Sequence, residues 1–239
     1  MIHRLVTFVL ILSIILPGCL NEPDPPLPDS IRSYFILYNF LSESYDVHWD
    51  INEIGVESSQ AYGLHLPGFS TLEEIKEDVL FSVKEAGSMR VIRSDTFTME
   101  QNHYYIVSIM GTEQEPYILF EPMDLDAPST GMVRLRLMQT AMEMGPVDLY
   151  IGGSTPDHKV ISGIAYTDIS DYIEASEEEL WEAIIITPFG ISPADSTILL
   201  FTANDVFTPN YVYLGVVGHV TNSPSSTLHL LLYDQPVGL

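Results

Sequence analysis

From Tyr34 onward, the sequence repeats one texture: short runs of Val, Ile, Leu, Tyr and Phe separated by Gly, Pro, Asn, Asp and Ser. Runs of this length and composition are typical of β-strands joined by turns, at the spacing of an all-β sandwich. Only residues 71–78 and 176–181 have helical character, because each stretch places a glutamate three residues after a hydroxyl residue. The sequence therefore predicts an all-β fold with at most two short helices. The predicted strands cover residues 34–41, 45–51, 79–83, 89–93, 104–110 and 117–121 in the first half, and residues 132–139, 147–151, 183–187, 198–201, 211–217 and 227–233 in the second half.

The two halves contain these strands in the same order. The stretch "YDVHWDI" aligns with "PVDLYIG", which pairs Asp46 with Asp148, and "FTMEQNHYYIVSIMG" aligns with "FTPNYVYLGVVG", which pairs Tyr104 with Tyr211. We interpret the match as a tandem duplication. The boundary lies where acid, proline, serine and glycine interrupt the strands. The prediction is two tandem immunoglobulin-like antiparallel β-sandwich domains, residues 33–123 and residues 132–239, joined by a linker at residues 124–131.

Three stretches of the second half carry a resemblance to a known family. They are "VDLYIGG" (residues 147–153), "AYTDISDYIEA" (residues 165–175) and "YVYLGVVG" (residues 211–218). Together they resemble the bacterial extracytoplasmic domain of unknown function 4397. In place of the family's proline-glycine turn, this chain has "SEEE" at residues 176–179, and the first half lacks a clear counterpart of "YTDISDY". The resemblance implies an immunoglobulin-like sandwich on an exported protein and implies no activity or catalytic residue.

The N-terminal segment predicts a lipoprotein signal peptide. Arg4 precedes an uncharged run at residues 5–16, which has the length of a signal-peptide core and is too short to span a bilayer as a helix. The stretch Leu16-Pro17-Gly18-Cys19 resembles a bacterial lipobox, so cleavage after residue 18 is expected to leave a lipid-modified Cys19 as the first residue. Residues 19–32 then form an acidic, proline-rich tether. Leu20 after the cysteine favours an outer-membrane location, by resemblance to Gram-negative sorting.

Composition excludes several function classes. The chain has 33 acidic and 9 basic residues, for a formal net charge of -24, so a nucleic-acid partner is not expected. Cys19 is the only cysteine, which excludes disulfides, thiol nucleophiles and cysteine-ligated zinc in the predicted domains. The sequence contains no G-x-S-x-G elbow, H-E-x-x-H helix, P-loop or dinucleotide glycine motif. We therefore expect a protein without enzymatic activity and without a cofactor.

Five acidic residues and one tryptophan are candidates for a site. Asp46 and Asp148 are interpreted as structural carboxylates that bind loop amides, because a catalytic pair is not normally repeated once per domain. Glu121, Asp124 and Asp126 cluster at the predicted junction, where loop oxygens suit calcium. Trp181 lies in an acidic stretch and is the candidate for glycan binding, whereas Trp49 alternates with His48 on a strand. No histidine has a recognisable metal-ligand spacing among His48, His65, His103, His158, His219 and His229.

These observations predict a lipid-anchored bacterial envelope protein, facing the periplasm or the cell surface, whose two domains bind or space another surface component. The expected contacts are the membrane, through the lipid on Cys19, and a protein or glycan partner. One alternative is a glycan-binding module or carbohydrate-active enzyme that uses exposed aromatic rings beside paired acids. A second alternative is a structural subunit of a surface assembly, which predicts an exposed apolar patch or a free edge strand.

Overall fold

The strand-forming runs become two β-sandwiches with the same topology. The computed structural model describes residues 32–41, 46–63, 70–73, 78–193, 199–200, 207–219 and 228–235. Each of the twelve predicted strands overlaps a strand of the structure, which also has, in its described part, four strands that the sequence did not predict: β3 (Ile54–Gln60), β4 (Ser70–Glu73), β11 (Lys159–Ile164) and β12 (Ile173–Ser176). Sandwich one contains β1 (Arg32–Leu41), β2 (Val47–Ile51), β3 (Ile54–Gln60), β4 (Ser70–Glu73), β5 (Asp78–Glu85), β6 (Val91–Thr98), β7 (Tyr104–Gly111) and β8 (Pro116–Met123). Sandwich two contains β9 (Met132–Gln139), β10 (Val147–Ile151), β11 (Lys159–Ile164), β12 (Ile173–Ser176), β13 (Ile184–Pro188), β14 (Leu199–Leu200), β15 (Val212–His219) and β16 (Leu228–Gln235).

Each sandwich consists of two four-stranded sheets. In sandwich one, the strand orders are β4-β1-β7-β8 and β3-β2-β5-β6, and in sandwich two they are β12-β9-β15-β16 and β11-β10-β13-β14. The first sheet of each pair is called the inner sheet here, and the second is called the outer sheet. Neighbouring strands are antiparallel, except that β1 runs parallel to β7 and β9 runs parallel to β15. The second sandwich thus repeats the first strand for strand.

Three hydrophobic clusters hold these sheets together. One fills sandwich one between its two sheets, around Trp49 and Phe81, and another fills sandwich two, around Leu149 and Phe207. The third cluster, called the interface cluster here, joins the two inner sheets. Its buried residues are Ile36, Tyr38, Phe40, Tyr62, Ile106, Met110, Leu119 and Met123 from sandwich one and Met138, Leu214 and Val216 from sandwich two. The four sheets are therefore stacked as outer, inner, inner and outer within the compact unit Arg32–Leu239.

The interface cluster explains a feature of the sequence. The inner strands β1, β7 and β15 are nearly continuous apolar runs, such as "YFILYNFL" in β1, and nearly all their described side chains are buried. A strand with one solvated face alternates apolar and polar residues, whereas a strand covered on both faces does not. The inner sheets are covered on both faces, because each packs on its own sandwich core and on the other inner sheet.

Repeated hydrogen bonds confirm that the two sandwiches are internal copies. The amide of Glu100 donates to the hydroxyl of Tyr105 at 2.8 Å, and the amide of Thr208 donates to the hydroxyl of Tyr213 at 3.0 Å. The same spacing of five residues makes Tyr105 equivalent to Tyr213. The predicted pairing of Tyr104 with Tyr211 is thus out of step with the structure by one residue, because Tyr104 corresponds to Val212.

One of the two predicted helices is present and the other is wrong. The helix α1 (Glu177–Glu182) begins with a capping box, in which the Ser176 hydroxyl accepts from the Glu179 amide and the Glu179 carboxylate accepts from the Ser176 amide. In residues 71–78, the beginning belongs to β4, and Asp78 starts β5. Pairing of β4 with β1 overrides the local helical signal, since it satisfies backbone groups along a buried strand.

Short 3-10 helices occur at Met142–Met144 and Pro156–His158. The described part of the chain contains no helix that is long and apolar enough to cross a membrane. The predicted signal peptide, Cys19 and most of the predicted tether lie outside the described residues.

Candidate functional site

The three acidic residues predicted as calcium ligands lie where the sandwiches meet, beside two arginines. Glu121 is on β8, and Asp124 and Asp126 follow before β9 begins. Arg134 and Arg136 are on β9 and point toward sandwich one, because the residues that alternate with them pack in the core of sandwich two. Arg134 and Arg136 therefore face carboxylates of sandwich one and of the segment that connects the two sandwiches.

Arg134 neutralises Asp124 directly. Its Nη2 donates to Oδ2 of Asp124 at 2.5 Å, and its Nη1 donates to the carbonyl of Asp126 at 3.1 Å. The hydrogen bond from Arg134 holds the pKa of Asp124 below its usual value. The side chain of Asp124 is 47% exposed, so solvent screens the pair, and we expect it to contribute less than about 1 kcal/mol.

Arg136 is buried and less completely paired. Its side chain is 3% exposed, and Nη1 donates to the carbonyl of Pro122 at 3.3 Å. The nearest carboxylate oxygen, Oε1 of Glu121, is 3.8 Å from Nη1, which is too far for a hydrogen bond. Burial raises the pKa of Glu121 despite the positive charge of Arg136, and Asp171 raises it further. Burial also lowers the pKa of Arg136.

The ring of Tyr172 completes this arginine cluster. The guanidinium carbon of Arg134 lies 4.3 Å from the ring centroid, and that of Arg136 lies 4.6 Å from it. Both distances are within the range of cation–π attraction, which is strongest where water is excluded. Burial raises the pKa of the Tyr172 hydroxyl, so the phenol is neutral near neutral pH. The ring of Tyr172 thus stabilises the two positively charged guanidinium groups of Arg134 and Arg136 next to each other.

The carboxylates do not converge on a common point. The oxygens of Asp124 accept from Arg134 and from the amide of Asp126, while Glu121 faces Arg136. Among the residues that the structure describes, no three His, Cys, Asp or Glu side chains come together as a metal site. The geometry therefore gives no support to calcium binding by Glu121, Asp124 and Asp126.

Arg134 and Arg136 were not among the predicted site residues, although the sequence contains a signal for them. In "MVRLRLMQ", Arg134 and Arg136 alternate with apolar residues and so lie on one face of a predicted strand. Two of only nine basic residues in a strongly acidic chain stand there together. Such a pair on a strand indicates a charged contact with another element, even when that element cannot be named.

Trp181, the predicted glycan contact, lies on α1 with 49% of its surface exposed. Leu180 beside it packs into the core of sandwich two and fixes the helix on the sheet. The indole Nε1 donates to Oε1 of Glu177 at 3.3 Å. The ring of Trp181 is therefore half exposed, its helix is held on the sheet by Leu180, and its indole nitrogen contacts the carboxylate of Glu177. Trp49, in contrast, is fully buried and donates from Nε1 to Oε1 of Gln60 at 2.7 Å.

Asp148 is a buried carboxylate with a structural role, as predicted. It lies on the outer face of β10 and accepts from Lys159 Nζ at 2.7 Å, Ser162 Oγ at 2.9 Å, and the amides of Gly163 and Gly190 at 2.9 and 3.1 Å. Burial by itself raises the pKa of Asp148, but these four donors outweigh it and leave the pKa below its usual value. Four partners satisfy the carboxylate, which ties β10 to β11 and to the turn after β13.

The predicted equivalence of Asp46 and Asp148 is wrong. Strands β2 and β10 occupy the same place in the two sandwiches, beginning at Val47 and Val147, so Asp148 corresponds to His48. Asp46 precedes β2 and accepts from the hydroxyl of Ser59. The alignment by sequence failed because the acidic residues stand at different positions along the same strand.

The outer face of β2 carries a polar cluster of its own. Oδ1 of Asp50 lies 2.6 Å from Nε2 of His48, and Oδ2 accepts from Nζ of Lys84. Burial alone raises the pKa of Asp50, but the hydrogen bonds from Lys84 and His48 bring it below the usual value. Gly55 on β3 makes room for this cluster, since a Cβ there would stand 3.2 Å from the His48 ring.

Among the side chains that the structure describes, His103 and His158 have separate partners. His103 lies 3.5 Å from Glu100, and His158 contacts the carbonyl of Ile151 through Nδ1 at 3.1 Å. His65 lies outside the described residues, as does the predicted lipidation site Cys19.

Comparison with known proteins does not assign a family. No family model matches the chain, and no curated protein matches it. Among solved structures, the chain is similar to CBMbc, a carbohydrate-binding module of family CBM26 from Eubacterium rectale Amy13K, in complex with maltoheptaose. The two chains are 7% identical with a TM-score of 0.22, over 86% of this chain and 98% of that one. A likeness at this level carries no argument about function.

Proposed function

We propose that the protein is a non-enzymatic, lipid-anchored protein of the bacterial envelope whose two sandwiches together bind or space another surface component. The observation that supports this proposal is the interface cluster. It buries Phe40 and Met110 of sandwich one against Leu214 and Val216 of sandwich two, so the sandwiches are held as one body. A body with a fixed distance between its two outer sheets suits a spacer or a binding platform on a tether.

The proposed lipid anchor can be tested at Cys19. We expect the wild-type chain, expressed in a Gram-negative host, to fractionate with the outer membrane and to carry diacylglycerol and a third acyl chain on Cys19. The variant Cys19→Ser should lose the lipid and the membrane association together. A wild-type chain that is secreted without lipid, as shown by intact mass, would contradict the anchor.

Photo-crosslinking tests the partner. A photoreactive amino acid placed on the outer sheets, at Ile54 or Val160, should crosslink the protein to a defined envelope component in intact cells. Both positions are exposed, at 69% and 41%, so the substitution leaves the cores intact. Catalytic turnover by the purified protein that a single carboxylate substitution abolishes would overturn the non-enzymatic part of the proposal.

A glycan-binding role is the second candidate, and the observation that favours it is the half-exposed ring of Trp181 beside Glu177. If this ring is a sugar platform, Trp181→Ala should abolish retention of the protein on the glycan that it binds. Phe189→Ala is the matched control, because Phe189 is an aromatic residue of the same sandwich with 58% exposure. Equal retention of both variants would exclude the platform.

The immunoglobulin-like character of the sandwiches and the resemblance to domain of unknown function 4397 belong to the same proposal. The hydroxyls of Tyr105 and Tyr213 each accept a hydrogen bond from the backbone amide five residues upstream, which supports it, since such a tyrosine corner is a feature of immunoglobulin-like sandwiches.

A further inference from the structure

We propose that the interface between the two sandwiches binds a small monovalent inorganic anion, such as chloride, at the guanidinium of Arg136. This site goes beyond the proposed function, because it concerns what joins the two sandwiches and not what they recognise.

The first observation is that Arg136 has unused donors inside the protein. The residue is 2% exposed, and its Nη1 donates to the carbonyl of Pro122. The Nε and Nη2 atoms are also buried, and neither has a hydrogen-bond partner in the described part of the chain. These two atoms form the edge of the guanidinium that binds anions with two parallel N–H groups.

The second observation concerns charge. Arg134 on the same strand face contacts Asp124 directly, whereas the carboxylate of Glu121 stays 3.8 Å from Nη1 of Arg136. The charge of Arg136 is therefore both desolvated and without a carboxylate in contact. A buried charge without such a partner is strongly unfavourable, so an anion at the unused edge would stabilise the folded protein.

The third observation concerns hydroxyl groups on the inner sheet that faces Arg136. Arg136 is paired in register with Leu214, a member of the interface cluster. On the facing inner sheet, Tyr38 and Ser108 are paired in register, and the Tyr38 hydroxyl is close enough to Arg136 to influence its titration. The Oγ atom of Ser108 is buried and has no hydrogen-bond partner among the described residues. Hydroxyl and guanidinium donors within an apolar interface suit a small inorganic anion.

Bromide, which replaces chloride and scatters anomalously, gives the direct test. Crystals of the full chain grown in sodium bromide should show an anomalous peak within hydrogen-bond distance of Nε and Nη2 of Arg136. A map with no bromide peak at this position, or with a water molecule bonded to these atoms, would overturn the proposal.

Thermal unfolding gives the second test. At constant ionic strength, with gluconate replaced stepwise by chloride, the midpoint of the full chain should rise with the logarithm of chloride concentration. The variant Arg136→Met should lose this dependence, and Ser108→Ala should weaken it. Arg93→Met is the matched control, because Arg93 is a half-exposed arginine paired with Asp95, and it should keep the full dependence.

If Arg136→Met fails to fold, the Ser108→Ala variant and the bromide map test the proposal. A chloride response that is the same in wild type and in Ser108→Ala, with no bromide peak, would refute the site.

Discussion

Removing one ring from the interface cluster should destabilise both sandwiches at once. Phe40 is 1% exposed and points away from the core of its own sandwich into the interface. Its ring lies 5.7 Å from that of Tyr38 and 5.8 Å from that of Tyr62. Truncation of a buried phenylalanine to alanine costs about 3–5 kcal/mol, which for a unit of this size lowers the midpoint of unfolding by roughly 6–20 °C.

The assay uses the two tryptophans of the chain, because each sandwich contains one of them. Trp49 is buried in sandwich one, and Trp181 is half-exposed on sandwich two. In the variants Trp181→Phe and Trp49→Phe, the remaining tryptophan reports on a single sandwich during thermal or urea unfolding. We expect the two reporters to follow one transition in each background, and Phe40→Ala to shift both by the same amount.

The control is Phe189→Ala, which removes an exposed ring and should change the free energy of unfolding by no more than about 0.5 kcal/mol. If Phe40→Ala lowered the transition reported by Trp49 and left that of Trp181 unchanged, the sandwiches would be energetically independent. That result would contradict the role of the interface cluster in joining the two sandwiches into one cooperative unit.

Three further predictions concern polar groups. Asp148→Ala should cost about 3–5 kcal/mol in urea unfolding, since it leaves the buried donors around it without an acceptor. Because the pKa of Asp148 is lowered, its stabilisation should be present above the usual value of 3.8 and be lost as pH falls through the lower folded-state pKa. Glu121 and Asp124 should respond in opposite directions: at pH 7, Glu121→Gln should be neutral or stabilising, because burial raises its pKa and the folded state favours the neutral acid, whereas Asp124→Asn should destabilise slightly. Equal effects of these two variants would show that the junction treats both carboxylates alike. Ser176→Ala should remove the capping box of α1 and cost about 1 kcal/mol, and an unchanged midpoint would contradict this role.

The sequence alone determined the class of fold and the duplication. Strand-length runs separated by turn residues predict a β-sandwich, and the runs recur in the same order in both halves, whereas the parallel pairs β1–β7 and β9–β15 were not predicted. The continuous apolar character of β1 and β15 was also visible in the sequence. The capping box at Ser176 predicted α1 correctly, since the contacts that define it are three residues apart.

Only the tertiary structure decided which residues come into contact between strands and between sheets. Residues 71–73 carry a helical signal, but their partner is β1, far away in sequence, and strand pairing outweighs a weak local preference. Arg136 and Glu121 approach each other only because the two inner sheets stack. Only the sheet topology shows that Asp148 corresponds to His48, since equivalent strand positions in the two copies carry different residue types. Local conformational preferences depend on residues that are close in the sequence. The interface between the sandwiches depends on the burial of apolar sheet faces, and the sequence of one strand does not specify which face will cover it.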